Sequence, residues 1–550
     1  MQATTRSDED IPPHSHLRDE EADAGQAEHD HPAVLRALRT RLHCMDLPRG
    51  LGSVRAWAGV ILVTVLALVL RVYHLGSIHD LIFDETYYVK DGWTLIHNGV
   101  EMNWPDKPDP AFTSGDVNSY EDSGEYVVHP PIGKWVIGLG MLILGGDSSW
   151  GWRLSVAVLG SLSVLMCTLI TRRLFRSTGI GLIAGLLLAV DGLHLVMSRT
   201  SLLDLVLMFF ALAAFGALLI DRDRFREKLA RHAAAAVVRG ETLPLLGYRA
   251  GFRPWRLSAG ILLGLACSVK WSGIYFLAIF GIMTVLWDWW ARRRVGERRW
   301  MVNGLFRDAV PAFVAMVGGA LLTYLVSWTG WFASDKGYMR NWAEENGHPD
   351  GNPVVNALRS LLHYHSEAYD FHIHLDSPHP YQANPLGWLL QIRPTNFYYR
   401  SYDYGQMGCQ VEKCASQVFS VGNPLIWWLG ALSIVVVIVV GVWKRDGRAW
   451  AALAGIVAGY LPWLMYLDRT IFTFYSVVYE PWLIMCLAYA LGLLVGPPGA
   501  DRERKLAGTL LCGSLLTLIV LISAFFWPIW TGQVIDVRQW EWRMWLPSWT

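Results

Sequence analysis

The segment Ile82-Phe83-Asp84-Glu85-Thr86-Tyr87-Tyr88 follows the first long apolar stretch of the chain, residues 57–74. A stretch of roughly 20 apolar residues is long enough to cross a bilayer as a helix. Two adjacent carboxylates directly after such a stretch are costly to hold near hydrocarbon, so they usually have a function. They open an acidic loop that closes with His129-Pro130-Pro131-Ile132-Gly133-Lys134-Trp135. The segment therefore predicts a membrane protein with a polar site beside its first span.

The composition of the whole chain indicates a polytopic membrane protein. The 550 residues are 53% hydrophobic, and the mean hydropathy is +0.28. Charged residues make up 17%, below the roughly 25% that is typical of soluble domains. The formal net charge is zero, which gives no reason to expect a nucleic-acid partner, and no nucleotide-binding glycine motif is present.

Eleven apolar runs are long enough, or nearly so, to be membrane helices. They lie near 57–74, 152–171, 179–197, 202–220, 257–270, 272–290, 309–328, 423–443, 449–466, 475–496 and 507–528. One further run, 132–146, is too short to cross comfortably and is interpreted as a juxtamembrane or re-entrant helix. The predicted fold is therefore an all-α polytopic membrane protein.

The distribution of basic residues predicts the orientation, because cytoplasmic loops of membrane proteins are enriched in Lys and Arg. With eleven spans and a cytoplasmic N-terminus, all five basic clusters fall on the cytoplasmic side. These are Arg172-Arg173-Arg176, residues 222–256, Arg292-Arg293-Arg294 with Arg298-Arg299, Lys444-Arg445-Arg448 and Arg502-Arg504-Lys505. The first outer loop (75–150), the long outer loop (329–421) and the C-terminus then lie outside.

Residues 1–50 are polar and carry no cleavable signal peptide, so we expect a disordered cytoplasmic tail before a membrane domain over 51–550. Four histidines in this tail are compatible with metal binding, although a solvated tail is the favoured interpretation. They are His14, His16, His29 and His31.

The long outer loop contains two features with open interpretations. The spacing of His372, His374 and Asp376 would place metal ligands on one face of a strand, but an aromatic, amphipathic segment along the membrane or over the site is favoured. Cys409 and Cys414 lie in a polar stretch, and their pairing as a disulfide is left open.

Polar residues at the ends of several spans meet on the predicted outer face. The set comprises Asp84, Glu85, His129, Lys134, Arg153, Arg199, Asp204, Lys270 and Arg469. A carboxylate within hydrogen-bond reach of a hydroxyl can act as a general base, and Arg or Lys can hold a phosphate. A phosphate at a membrane surface suggests a lipid-linked donor, so the pattern indicates a group-transfer site.

Each of these residues also has a structural interpretation. Asp84 and Glu85 would suit the N-terminus of the helix that follows. The Arg153 and Arg469 side chains would simply extend to the interface. A structural ion pair between Arg199 and Asp204 is slightly favoured over a catalytic role for them.

A transporter or flippase for lipid-linked sugars is the alternative from another functional class. It would explain many helices with polar groups on one face. Against it, the chain shows no internal repeat and few ionisable residues in the middle of its spans.

These segments resemble the protein O-mannosyltransferases that use polyprenyl-phosphate-mannose, over residues 57–530. The resemblance rests on Phe83-Asp84-Glu85 with Tyr87-Tyr88-Val89-Lys90-Asp91, His129-Pro130-Pro131-Ile132-Gly133-Lys134, Ser198-Arg199 to Asp204, Val269-Lys270-Trp271-Ser272-Gly273 and Leu467-Asp468-Arg469-Thr470-Ile471-Phe472. The long outer loop is most similar to the actinobacterial branch, through His379-Pro380-Tyr381, Arg393-Pro394 and Phe397-Tyr398-Tyr399. It is too short for the lumenal β-trefoil domain of eukaryotic members, which leaves acceptor selection open.

The resemblance implies a GT-C fold of about eleven helices and mannose transfer to Ser or Thr of secreted proteins at the outer face of the plasma membrane. It implies that Asp84 is the catalytic base and that Glu85 supports it. Arg71 and Arg153 match arginines that are important in the family. The secretion translocon is a further expected partner, and no metal cofactor is implied, with the metal requirement left open. A GT-C enzyme for another lipid-linked sugar remains an alternative.

The mechanism expected from these residues is a single inverting displacement. Cations then stabilise the charge that develops on the leaving phosphate. The candidates for binding the donor phosphate are Arg153, Arg469, Lys134 and His129, with Arg71, Arg199, Asp204 and Lys270 in supporting positions.

Overall fold

A computed structural model describes residues 31–44, 53–347, 349–497 and 499–550. His14, His16, His29 and most of the predicted tail 1–50 lie outside the described residues. By the contacts between its residues, the chain divides into two compact units, which are described separately.

The first unit joins residues 31–44 to Asp221–Arg253 and Thr284–Pro311. The expectation of disorder throughout 1–50 is wrong for residues 31–44, of which 31–41 are helical. Leu35, Leu38 and Leu42 share one face of this helix because they are three and four residues apart. This face packs on a buried apolar cluster that includes Phe225 and Leu229.

The basic segments of this unit are held by a buried network of ion pairs. Arg253 donates to Asp221 at 2.6 Å and to Asp288 at 2.7 Å. Arg292 binds Asp308 and Glu297 in the same way. Since each guanidinium meets two carboxylates, these buried charges are compensated.

The second unit contains every candidate site residue. All eleven apolar runs are helical over most of their length. Seven helices in the described part of the chain are long and apolar enough to cross a membrane. Their bounds are Val54–Val72, Ser149–Phe175, Leu203–Val238, Gly273–Val295, Trp300–Ser327, Pro424–Trp443 and Arg502–Thr531.

The other four runs form shorter or interrupted helices. The interruptions follow from local chemistry: the Asp191 carboxylate accepts hydrogen bonds from the N–H groups of Leu193 and His194 and so starts a new helix, and Pro462 and Pro481 stand at helix starts. The pieces are Thr178–Val190 with Gly192–Met197, Pro254–Cys267, Gly447–Gly459 with the 3₁₀ turn Leu461–Met465, and the 3₁₀ turn Thr473–Val478 with Glu480–Val495.

The 75–150 segment folds into three helices, Glu85–Asn98, Asp109–Thr113 and Ile132–Leu144. The first and third pack closely on each other at Gly92 and Gly138. A Cβ on Gly138 would lie 2.7 Å from the Gly92 carbonyl oxygen, so only glycine permits this approach. The Ile132–Leu144 helix also packs against Ser149–Phe175, which fixes the segment beside the spans.

The 329–421 segment contains strands as well as helices, which the all-α prediction did not include. Its helices are Thr329–Ala333, Trp342–Glu345, Pro353–Ile373 and the 3₁₀ turn Pro385–Leu390. Three antiparallel strands follow in the order β1 (Asn396–Asp403), β2 (Lys413–Phe419) and β3 (Ile535–Asp536). A disulfide joins Cys409 to Cys414 across the β1–β2 turn. After β3 come the helix Val537–Glu541 and the 3₁₀ turn Pro547–Trp549.

Candidate functional site

Asp84 is held in place by an aromatic cage around the residue before it. Phe83 has a positive φ of 52°, a conformation that L-residues other than glycine adopt at a cost. Its ring stacks on Phe397 at 4.9 Å and meets Phe472 and Phe474 edge to face, at 5.6 Å each. This packing offsets the backbone cost and aims the chain into the helix that starts at Glu85.

The Asp84 side chain does not cap that helix, contrary to the structural interpretation of the sequence. Asp84 stands at the N-cap position but makes no side-chain capping bond. Its surroundings raise the pKa of the carboxyl to about 6, chiefly through burial and also through the Asp204 carboxylate, while Lys270 and the Tyr88 hydroxyl act in the opposite direction. A carboxylate with a pKa near neutrality is suited to accept a proton.

Glu85 and Arg153 form a fully buried ion pair, in which each side chain bonds to the other. Arg153 donates to the two carboxylate oxygens at 2.8 and 2.7 Å, and its remaining N–H groups bind the carbonyl oxygens of Ile78 and Asp80. Glu85 also accepts the backbone N–H of Ser201. Four of the five N–H donors of Arg153 are engaged and one at Nη1 is left, so a forked contact with a phosphate does not fit this geometry, and neither does an interfacial position.

Lys134 is likewise occupied away from the donor. It forms ion pairs with Glu101 and, at 3.9 Å, with Asp91, and it donates to the His129 carbonyl oxygen at 3.0 Å. Burial raises the pKa of both the Asp91 and Glu125 carboxyls beside it. The predicted phosphate contact of Lys134 does not fit this geometry, because its ammonium is buried among acids.

Arg71 and Arg199 join elements of the membrane bundle rather than facing a site. The Arg71 guanidinium is buried and donates to Ser198, His194 and nearby carbonyl oxygens. Arg199 donates to the carbonyl oxygens of Arg71 and Tyr73 at 2.8 and 2.7 Å, so it caps the end of Val54–Val72. The positive charge of Arg199 stabilises this helix C-terminus, because the C-terminus of a helix carries partial negative charge.

Asp204 pairs with Lys270 and not with Arg199. The Lys270 ammonium lies 2.8 Å from the Asp204 carboxylate and 4.9 Å from the centre of the Tyr475 ring. The turn that carries Lys270 is tied to the Ile132–Leu144 helix by a hydrogen bond from the Ile132 N–H to the Ser268 carbonyl oxygen. This link brings Lys270 and His129 to one place.

These residues form part of the wall of a cavity of about 610 Å³. The wall contains two cations against one carboxylate, with three imidazoles and five phenols beside them. Among these residues are His129, Asp204, Lys270, His372, Arg469 and Tyr475. Asp84 is not itself part of the wall, but it lies beside Lys270 and Asp204, whose charges act on it.

Two of the three histidines in the wall, His129 and His372, stack on each other, and burial lowers the pKa of the third, His365. The His129 and His372 rings stack at 5.1 Å. Burial lowers the pKa of His129 well below its usual range, and Lys270 and His372 add to this. Burial also lowers the pKa of His372, to about 4. At neutral pH the cavity therefore carries its positive charge on Lys270 and Arg469.

Apolar side chains of two spans form another part of the cavity wall. Ile274 and Leu277 come from Gly273–Val295, and Val317 and Leu321 come from Trp300–Ser327. Ile274 and Leu321 are both more than half exposed, so the apolar wall continues onto the surface of these helices. The cavity wall therefore combines cationic with apolar side chains.

Four of the ten predicted site residues line the cavity, and the structure adds others that the sequence reasoning missed. His129, Asp204, Lys270 and Arg469 were predicted. Tyr88 follows Asp84 by four residues and so shares its helix face, and this spacing could have identified Tyr88 from the sequence. His372 was considered only for metal binding, and it lies near the end of the helix Pro353–Ile373, not on a strand. Trp271 and Tyr475, which also line the cavity, were not among the predicted site residues.

Two sequence families match this chain. Residues 61–238 match the family described as dolichyl-phosphate-mannose-protein mannosyltransferase. Residues 357–549 match the C-terminal four-helix membrane region of protein O-mannosyltransferase. Together they contain Asp84, Arg153 and Asp204 in the first match and His372 and Arg469 in the second.

Curated proteins named polyprenol-phosphate-mannose–protein mannosyltransferase are similar to most of the chain. The protein from Mycolicibacterium smegmatis is 38% identical over 91% of this chain and 94% of its own length. Those from Mycobacterium tuberculosis and Corynebacterium glutamicum are 36% and 34% identical, over 91% and 90% of this chain and 93% of their own lengths.

The fold is similar to that of a solved protein O-mannosyltransferase. The Pmt1–Pmt2 complex of Saccharomyces cerevisiae, determined with its sugar donor, aligns over 94% of both chains with a TM-score of 0.69 and 14% sequence identity. The expected GT-C architecture is thereby confirmed.

Proposed function

The chain belongs to the dolichyl-phosphate-mannose-protein mannosyltransferase family, and we propose that it transfers mannose from polyprenyl-phosphate-mannose to Ser or Thr hydroxyls of secreted polypeptides, with Asp84 as general base. One observation supports this assignment most strongly. A single cavity is lined both by the cations Lys270 and Arg469 and by apolar side chains of two spans, and Asp84 lies beside Lys270. A phosphate fits the cationic part of the wall and a polyprenyl chain fits the apolar part.

The proposed reaction is one inverting displacement. The acceptor oxygen attacks the anomeric carbon of mannose while Asp84 takes its proton. The bond from that carbon to the phosphate oxygen breaks, and its electron pair stays on the polyprenyl phosphate. Lys270 and Arg469 stabilise the charge that develops there, an effect that is strong where water is excluded.

Glu85, Arg153, Lys134, Arg71 and Arg199 act in this proposal by building the site. The Glu85–Arg153 pair fixes the chain on both sides of the Phe83–Asp84 step, since Arg153 also holds the carbonyl oxygens of Ile78 and Asp80. Lys134 fixes the backbone of His129. These residues therefore affect the reaction through the position of others.

We place the reaction at the outer face of the plasma membrane, with a cytoplasmic N-terminus. The positions of the basic clusters support this orientation. The disulfide between Cys409 and Cys414 also supports it, because disulfides persist in oxidising compartments. Acceptors then arrive as they leave the secretion translocon, which we include among the partners.

The test is mannose transfer from polyprenyl-phosphate-mannose to a Ser/Thr peptide by isolated membranes or purified protein. Asp84→Asn keeps the size of the side chain and removes the base, so kcat should fall by about 10²–10⁴-fold, with little change in the donor KM. Asp80→Asn is the matched control, because the Asp80 carboxylate is partly exposed and pairs only with Arg400 among the described residues. Transfer by Asp84→Asn at the normal rate would refute the assignment of the base.

A further inference from the structure

His372 contacts two groups of the site with its two ring nitrogens. Nε2 lies 2.9 Å from the carbonyl oxygen of Val128, the residue before His129. Nδ1 lies 3.1 Å from an Nη atom of Arg469. His372 comes from the helix Pro353–Ile373, so it connects this helix to both the His129 loop and the Arg469 turn.

These two contacts determine the tautomer. A carbonyl oxygen only accepts, so Nε2 carries the hydrogen and donates it to Val128. A guanidinium only donates, so Nδ1 must accept from Arg469. A neutral imidazole with its hydrogen on Nε2 satisfies both contacts, whereas a protonated ring has no acceptor for Arg469.

Arg469 keeps unused hydrogen-bonding capacity in this arrangement. Its Nε is buried and has no hydrogen-bond partner among the described residues. Its guanidinium lies 5.9 Å from the centre of the Trp463 ring. A buried N–H without a partner is costly, and an oxygen of a bound phosphate would supply the missing acceptor.

We propose that His372 is a positioning residue for the reaction, which holds the Arg469 guanidinium so that its free N–H groups meet the donor phosphate. This inference rests on the proposed function, since it assumes a phosphate donor in the cavity. His372 acts through Arg469 and need not touch the donor itself. The neighbouring charges of Arg469 and Lys270, together with burial, keep the pKa of His372 low, so the accepting form is present throughout the neutral range.

The two amide variants separate the two contacts. In His372→Asn the amide oxygen lies close to the former Nδ1 position and can still accept from Arg469. In His372→Gln the amide nitrogen reaches the former Nε2 position and can still donate to Val128, but the acceptor for Arg469 is lost. The donor KM should therefore rise about tenfold in His372→Gln and stay within about threefold of wild type in His372→Asn, with the peptide KM unchanged in both.

Two controls distinguish the positioning role of His372 from a general structural effect. His363→Ala lies on the same helix, but this histidine stacks on Trp342 at 3.9 Å and is not part of the cavity wall, so its donor KM should not change. In an Arg469→Ala background, His372→Gln should cause no further rise in donor KM, because the residue it positions is gone. Two additive losses would contradict the inference.

Binding of polyprenyl phosphate to the purified chain gives a second readout that needs no transfer. We expect the dissociation constant to rise about tenfold for His372→Gln and to change little for His372→Asn. Equal dissociation constants for the two variants would overturn the role of His372. This holds even if the wild-type protein transfers mannose and Asp84→Asn does not. Absent transfer with normal phosphate binding would instead refute the proposed function alone.

Discussion

The chemistry of the site depends on the state of one carboxyl group. Asp84 must be ionised to accept a proton, and its pKa is raised to about 6 because burial disfavours the charged form. The value of kcat/KM should therefore rise with pH through about 6 and level off above it. Groups that stabilise the carboxylate, such as the Tyr88 hydroxyl, set where this rise occurs.

Tyr88→Phe tests this dependence by removing one hydroxyl. Because that hydroxyl lowers the pKa of Asp84, its loss should move the acidic limb of the profile to higher pH. A move of half a unit would reduce kcat/KM about twofold at pH 6 and about threefold well below pH 6, and leave it nearly unchanged at pH 8. Tyr87→Phe, at the exposed neighbouring position, should leave the profile as it is. A limb that does not move in Tyr88→Phe would contradict the assigned contact.

Arg153→Ala tests the assignment of the Glu85–Arg153 pair as structural. Removal of one partner leaves a buried charge uncompensated, which costs roughly 3–5 kcal/mol. We expect lower thermal stability in detergent and equal loss of activity toward donor and peptide. Arg153→Lys should restore little, because an ammonium cannot form the forked contact with Glu85.

The exposed pair of Arg400 and Asp80 is the control for that experiment. Arg400→Ala should cost about 1 kcal/mol or less, since exposed ion pairs contribute little. A stable Arg153→Ala protein with only a raised donor KM would instead show that Arg153 binds the donor.

At the scale of elements, the site depends on how closely two helices of the 75–150 segment approach each other. Gly138 of Ile132–Leu144 lies against Gly92 and Ile96 of Glu85–Asn98. Ile132–Leu144 begins just after His129, and Glu85–Asn98 begins just after Asp84. Their separation therefore sets the distance between the proposed base and one wall of the cavity.

Gly138→Ala should push the two helices apart, because the new Cβ would lie 2.5 Å from the Ile96 side chain. Overpacking of this kind costs roughly 1–3 kcal/mol, and we expect at least a tenfold loss of kcat. Gly281→Ala is the matched control in the span Gly273–Val295, where nothing lies within 4 Å of the new Cβ. There the same substitution should leave activity unchanged and add up to about 1 kcal/mol of stability. Equal behaviour of the two variants would contradict the close approach.

At the scale of the whole molecule, the proposal requires the 75–150 segment to lie outside the cell. Tyr87 is exposed one helical turn from Asp84, and Lys444 is exposed after the span Pro424–Trp443. Tyr87→Cys should react with a membrane-impermeant maleimide on intact cells. Lys444→Cys should react only after the membrane is opened. The reverse pattern would place the reaction on the cytoplasmic side.

The sequence was informative about elements that depend on local composition. The apolar runs predicted the helices, since burial of backbone groups in a bilayer requires internal hydrogen bonding. The strands β1 to β3 were missed because β1 pairs with β2, and β2 pairs with a two-residue strand more than 100 residues later. Only the folded chain creates such pairs.

The sequence by itself determined which polar groups stand at the ends of the spans, because apolar length fixes where each helix must stop. It could not determine which cations remain available. Arg153 and Arg469 looked alike, yet the tertiary structure gives Arg153 two carboxylate oxygens and two carbonyl oxygens, and leaves the Nε of Arg469 without a partner in the part of the chain that the structure describes. The reason is physical: a donor is free or occupied according to acceptors brought from distant parts of the chain, and only folding brings them together.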